Sequence, residues 1–143
     1  MKKFIEKNLL YIIFAQSFVA LFGSLFFSEV ANFTPCVLCW YQRIFMYPIC
    51  ILTAVGIIRK DKEVGYYVLS LSLTGLFISI FHNLLYWGII SEAAAPCVSG
   101  VSCTTRDLNL LGFISIPLLS FIGFAVISIC AIAFIKTKKK IIS

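Results

Sequence analysis

Pro35-Cys36-Val37-Leu38-Cys39-Trp40-Tyr41-Gln42-Arg43, continuing through Ile44 to Ile58, decides how this chain is read. Two cysteines separated by two residues stand just before a membrane-length apolar segment whose last 15 residues carry no charge. A helix beginning at Cys39 places Cys39 and Arg43 on one face. The first-turn amides and the arginine would then both favour a thiolate on Cys39. Vicinal cysteines at the edge of a membrane span point to electron transfer between dithiols and a compound dissolved in the lipid. Trp40 and Tyr41 suit the membrane interface. Pro48 removes the hydrogen bond to the carbonyl of Ile44 and predicts a local kink, of a kind tolerated in membrane helices.

Working outward, three more segments have the same character. Asn8 to Ser28 runs for 21 residues without a formal charge, enough for one helical crossing. A basic start and an apolar run also fit a signal peptide, but the run is long for that and ends in no small-x-small cleavage site, so a retained first helix is expected. After the charged turn Arg59-Lys60-Asp61-Lys62-Glu63, Val64 to Ile90 is broken only by polar groups and His82, with the helix ending near Trp87-Gly88. Leu108 to Ile135 is the fourth run, and its Pro117 predicts a bend. Glu29 to Cys39 and Ser91 to Asp107 are read as polar loops. No composition break marks a second domain. A 61% hydrophobic content over 143 residues, with a mean hydropathy of +1.02, lies far outside the soluble range. The expected fold is therefore all-α: a polytopic four-transmembrane-helix bundle forming a single membrane domain, residues 1–143, with helices at about 9–28, 40–58, 64–87 and 110–135.

Charge sets the orientation. Four crossings put both termini on one side, together with Lys2, Lys3, Lys7, Arg59, Lys60, Lys62, Lys136, Lys138, Lys139 and Lys140. Only Arg43 and Arg106 are left for the other side. Ten basic residues against two make the first side cytoplasmic, while the acidic residues divide three and three and decide nothing. Both cysteine-bearing loops are then extracytoplasmic, where disulfides persist. The net charge of +6 sits at the termini and in one short turn, which does not suggest a nucleic-acid partner.

Of six cysteines, Cys50 and Cys130 lie inside apolar runs and read as small buried hydrophobes. Cys36, Cys39, Cys97 and Cys103 are placed for redox work. Cys36-x-x-Cys39 alone also fits a zinc site, and four outward cysteines also fit a zinc cluster or a permanent pair of disulfides. No metal site is expected, and a permanent staple is disfavoured because a structural disulfide needs neither a helix start nor a neighbouring cation, whereas a thiolate relay uses both. Arg43 reads either as a snorkelling lipid anchor or as the group that favours an anionic or carbonyl-bearing head group beside Cys39. His82 reads either as a neutral histidine hydrogen-bonded between helices or as a polar partner of a bound quinone head group, and Asn83 suits either arrangement. Gln42 lies one position off the Cys39–Arg43 line and is expected to face a neighbouring helix or loop.

At Cys36-Val37-Leu38-Cys39-Trp40-Tyr41-Gln42-Arg43 the chain resembles the DsbB family of bacterial membrane thiol:quinone oxidoreductases. Its length, Pro96-Cys97 to Cys103-Thr104, and Leu111-Gly112-Phe113-Ile114-Ser115-Ile116-Pro117 are similar to the short BdbC-type members of Gram-positive bacteria. The resemblance implies a relay in the bacterial cytoplasmic membrane. A reduced thioredoxin-fold partner similar to DsbA or BdbD gives electrons to a Cys97–Cys103 disulfide, which passes them to Cys36–Cys39 and then to a quinone. Menaquinone is favoured over ubiquinone, and a monomer is expected. By the same resemblance Cys39 stands beside the quinone with Arg43 assisting, Cys97 is attacked by the partner, and Cys103 attacks Cys36. His82 is carried over as a second quinone-binding residue. Two departures stand out. Long members have Glu where this chain has Gln42, and their second cysteines are far apart where five residues separate Cys97 from Cys103. The alternatives are an enzyme similar to vitamin K epoxide reductase, whose quinone-side cysteines precede a late helix, and a non-catalytic membrane protein stapled by disulfides.

Overall fold

The computed structural model of the chain describes residues 2–32, 34–95, 102–103 and 115–142. Four long helices dominate: α1 (Lys2–Leu25), α2 (Val37–Arg59), α3 (Val64–Tyr86) and α4 (Ile116–Ile142). No strand occurs among the described residues. Each helix is long and apolar enough to cross a membrane. The 23 residues of α2 and of α3 rise about 35 Å, against a hydrocarbon core of about 30 Å. α1 packs on α2 and α4, and α3 packs on the same two, so the helices enclose one core.

Leu10, Ile13, Met46, Ile49, Val68, Phe124 and Ile127 are buried in that core. Without a strong hydrophobic drive between helices in lipid, close approach rests on small residues and polar contacts. Ser128 Oγ donates to Ser72 Oγ across α4 and α3 at 3.0 Å. At Gly75 any Cβ would run into the fully buried Phe124 ring, so glycine is what lets α3 and α4 meet.

The charged turn between α2 and α3 is tight, as its composition predicts. Lys60 adopts the left-handed conformation (φ 55°), the Asp61 amide donates to Gly56 O at 3.0 Å, and the Glu63 amide donates to Asp61 Oδ1 at 2.8 Å. Lys138 of α4 pairs with Glu63 and lies 5.4 Å from the Tyr66 ring. The basic end of α4 and the charged turn therefore share one end of the bundle.

Several boundaries differ from the sequence expectation. The first helix reaches from Lys2 to Leu25 and continues as a π-helical turn, Phe26–Val30, into what reads as loop. α2 begins at Val37 with Cys36 as its N-cap, so Cys39 lies inside the first turn instead of starting the helix. α4 runs on through Lys136–Lys140 to Ile142, because lysines end a membrane span without ending a helix. Pro117 is the second residue of α4, where a proline is accommodated, and so starts that helix instead of bending it. Ser115 precedes it and its Oγ accepts from the Leu118 amide at 3.4 Å. Pro48 sits within an α2 that is helical from Val37 to Arg59. The stretch 110–114, expected as the start of the fourth helix, lies outside the described residues.

Candidate functional site

The site is built where α2 begins. Cys36 has the extended backbone of an N-cap (φ −69°, ψ 168°), and its carbonyl accepts the first helical bond, from the Trp40 amide at 3.1 Å. Residues three apart at a helix start face each other, and the Cys36 and Cys39 sulfurs are 3.1 Å apart as hydrogen-bonded thiols. Cys36 is buried and Cys39 half-buried.

α3 supplies the third member. His82 is 1% exposed, with Nε2 3.8 Å from Cys36 Sγ and Nδ1 3.3 Å from the Gln42 amide nitrogen. With the Gln42 amide donating to Nδ1, the ring carries its proton on Nε2, directed at the sulfur; the other tautomer reverses both roles. The hydrogen bond from Cys39, followed by the hydrogen bond and electrostatic attraction of His82, brings the Cys36 thiol down to about 4, although its burial pulls the other way. The contacts that favour a thiolate in this arrangement thus converge on Cys36.

Arg43 points elsewhere. Its guanidinium donates to Ser24 O at 2.9 Å and to Ser28 Oγ, and lies 5.4 Å from the Trp40 ring. These bonds fasten the first turns of α2 to the end of α1, next to the π-helical turn. Among the described residues no carboxylate forms an ion pair with it. Arg43 lines an open cleft of about 460 Å³ together with Ser28, Glu29, Asn32, Trp40 and Tyr47. That volume lies within the range of small-molecule sites, and the indole, phenol and guanidinium suit a flat carbonyl-bearing ring. Cys36, Cys39 and His82 are not among the residues lining the cleft, although Pro35 and Trp40, which adjoin the two cysteines in sequence, are.

Cys103 joins the site from the second loop. It is disulfide-bonded and buried, in a small cluster with Cys36, Leu38, Leu85 and Ala95, against which Cys39, Ile78, Phe81 and Ile90 pack. Cys97, Pro96 and Gly100 lie outside the described residues. Gln42 faces α3, as its position predicts. Asn83 instead binds α4: its Nδ2 donates to Ser79 O and to Pro117 O, each at 2.8 Å. Cys50 is a buried thiol and Cys130 a half-buried one, both remote from this cluster.

Nothing in the sequence alone distinguishes Ser24, Ser28 or Tyr47. A serine four residues from another in an apolar helix is unremarkable until an arginine from the next helix arrives. The arrangement as a whole can exchange disulfides between two loops and can hold a polar ring beside Arg43.

The family model described as "Disulfide bond formation protein DsbB" matches residues 6–134. The chain is 40% identical over 133 residues to "Probable disulfide formation protein C 1" of Bacillus anthracis, covering 93% of this chain and 96% of that one. It is 43% identical over 120 residues to "Disulfide bond formation protein C" of Bacillus subtilis (strain 168), covering 84% and 87%. It is 39% identical over 136 residues to "SPbeta prophage-derived disulfide bond formation protein B" of the same organism, covering 94% and 90%. No solved structure matches the chain at a significant level.

Proposed function

The chain belongs to the DsbB family of disulfide bond formation proteins, and from that premise we propose that it reoxidises an extracytoplasmic thioredoxin-fold thiol oxidase at the expense of a membrane quinone. It is a multi-pass membrane protein with a disulfide-generating role. The carrying observation is the junction at the start of α2. One dithiol there is packed into a buried cluster that also contains Cys103 of the other loop, and Arg43, one turn further on, lines an open cleft that Pro35 and Trp40 also border.

The relay balances as follows. A partner dithiol is oxidised to a disulfide as the Cys97–Cys103 disulfide is reduced, two electrons and two protons being transferred. The Cys97–Cys103 dithiol then reduces a Cys36–Cys39 disulfide, Cys103 attacking Cys36 through a mixed disulfide. A quinone held beside Arg43 would supply the two-electron, two-proton sink that returns Cys36 and Cys39 to the disulfide. Cys39 is the sulfur from which that pair is emptied, since Cys36 is committed to the second loop. His82, held by Gln42, stabilises the Cys36 thiolate as the leaving group when the Cys36–Cys39 bond or the mixed disulfide breaks. Arg43 would hold the head group, and its bonds to Ser24 and Ser28 keep the cleft wall in place.

The resemblance to short members from Gram-positive bacteria favours menaquinone over ubiquinone. The cysteine loops face out of the cell and the termini face the cytoplasm, an orientation supported by the ten-to-two division of basic residues. Trapping tests the order. Cys103→Ser, mixed with a partner that lacks its own resolving cysteine, should accumulate a disulfide between the partner and Cys97, read by mass spectrometry. A partner attached to Cys36 in the otherwise unmodified protein contradicts the two-step relay.

A further inference from the structure

The first dithiol and its histidine have a second chemistry. Cys36 Sγ, Cys39 Sγ and a His82 ring nitrogen all lie within 4.8 Å of one another. Two thiolates and one imidazole are a tetrahedral zinc donor set with its fourth position open. Bonds of zinc length place two such sulfurs about 3.8 Å apart and a sulfur and a nitrogen about 3.6 Å apart. The observed separations, 3.1 Å between the sulfurs and 3.8 Å from Cys36 to His82 Nε2, are within a side-chain rotation of those values.

The support around these three atoms is that of a ligand set. A metal-bound histidine requires a partner on its other ring nitrogen, and the Gln42 amide is already 3.3 Å from Nδ1. Turning that amide over presents its oxygen to Nδ1–H. His82 and Gln42 are both buried, one on each of two packed helices, so the nitrogen donor is aimed before any ion arrives. With sulfur and nitrogen donors only, the set selects zinc-like ions over magnesium or calcium.

We propose that the reduced Cys36–Cys39 pair and His82 form a binding site for a thiophilic divalent cation of the zinc or cadmium type, and that its occupancy holds the pair reduced and stops turnover. On binding, the two thiols lose the protons they carry, two sulfur–metal bonds form, and no electron moves. While both sulfurs are bound to the ion, no disulfide can form between them. Conversely, the disulfide form lacks both anionic donors and does not bind. The site needs only the reduced pair; that its occupancy stops turnover rests on the relay proposed above. It differs from a four-cysteine cluster, since the second loop takes no part.

Titration of the full-length protein carrying Cys97→Ser and Cys103→Ser tests the site without partner or quinone. The protein is reduced, freed of reductant under anaerobic conditions, and titrated with Co²⁺, which Zn²⁺ then displaces. One equivalent should bind with a thiolate-to-cobalt charge-transfer band, and the disulfide form should show none. Gln42→Ala should weaken binding about ten- to hundredfold, as loss of an orienting partner does. His82→Ala should weaken it further, and His82→Cys, which supplies a third thiolate, should restore it. No charge-transfer band, or equal affinity in His82→Ala and the parent, overturns the site. Separately, saturating Zn²⁺ should arrest quinone-dependent partner oxidation by the unmutated protein, and a chelator should restore it. Continued turnover with the metal bound overturns the inhibition while leaving the relay intact. Absence of turnover before any metal is added instead contradicts the relay.

Discussion

Replacing Arg43 separates the two uses the structure gives it. The side chain is half-buried, fastened to Ser24 O and Ser28 Oγ of α1, and forms part of the wall of the 460 Å³ cleft. If Arg43 holds the quinone as proposed, Arg43→Ala should remove one charge-assisted contact to its head group, a loss of about 1.5–3 kcal/mol. That corresponds to roughly ten- to hundredfold in apparent quinone affinity or in rate at limiting quinone. Arg43→Lys keeps the charge but cannot serve two acceptors on α1 and a head group from one planar fork. Its loss should fall between wild type and alanine. The assay follows partner oxidation by purified protein as the quinone concentration is varied, beside a single-turnover measurement with quinone withheld. The single turnover uses only the cysteines and should persist in both variants. An unchanged dependence on quinone in a folded Arg43→Ala protein would refute the reasoning and leave Arg43 as a clasp between α1 and α2.

Topology gives a second expectation: once reduced, cysteines of both loops should react with an impermeant reagent outside intact cells, while a cysteine introduced at Lys60 should not. Labelling at Lys60 from outside would reverse the orientation. Gly75→Ala drives a methyl group into the Phe124 ring and should destabilise the bundle by about 1–3 kcal/mol in thermal unfolding, with partial rescue by Phe124→Leu. A neutral Gly75→Ala would contradict the packing of α3 on α4. Cys36→Ser should abolish multiple turnover while leaving Cys97 and Cys103 able to accept one pair of electrons from the partner. Sustained turnover in this variant would remove Cys36 from the relay.

What could be read from the sequence was what each segment states locally. Apolar length announces four crossings, and the lysines around Arg59 to Lys62 and beyond Ile135 announce the end at which they meet. The start of α2 was displaced because its N-cap is Cys36, which makes no side-chain capping bond and carries none of the usual Ser, Thr, Asp or Asn signal. Hydropathy reports depth in a membrane, not helix starts, so the unbroken apolar run from Leu108 concealed the boundary beside Pro117. Hydropathy alone does not show the rotation of α3 about its own axis; its buried face is marked instead by small and polar residues at three- and four-residue spacing, Ser72, Gly75, Ser79 and His82, and these do not say which helix they meet. Hence the meeting of His82 with Cys36 and Gln42, residues 46 and 40 positions away in the chain, emerges only from packing. The bonds from Arg43 to Ser24 and Ser28 depend likewise on how α1 approaches α2.

The central claim is that electrons leave a partner dithiol through this protein and arrive on a quinone. Its most direct measurement mixes purified protein, stripped of bound quinone, with a reduced thioredoxin-fold partner and a known amount of menaquinone analogue, and follows partner thiols and quinone absorbance together. The account predicts one quinone reduced for each partner dithiol oxidised, over many turnovers, with no sustained oxidation when quinone is omitted under anaerobic conditions. Sustained anaerobic partner oxidation without quinone, or quinone added in excess and left unreduced while thiols disappear, would contradict it.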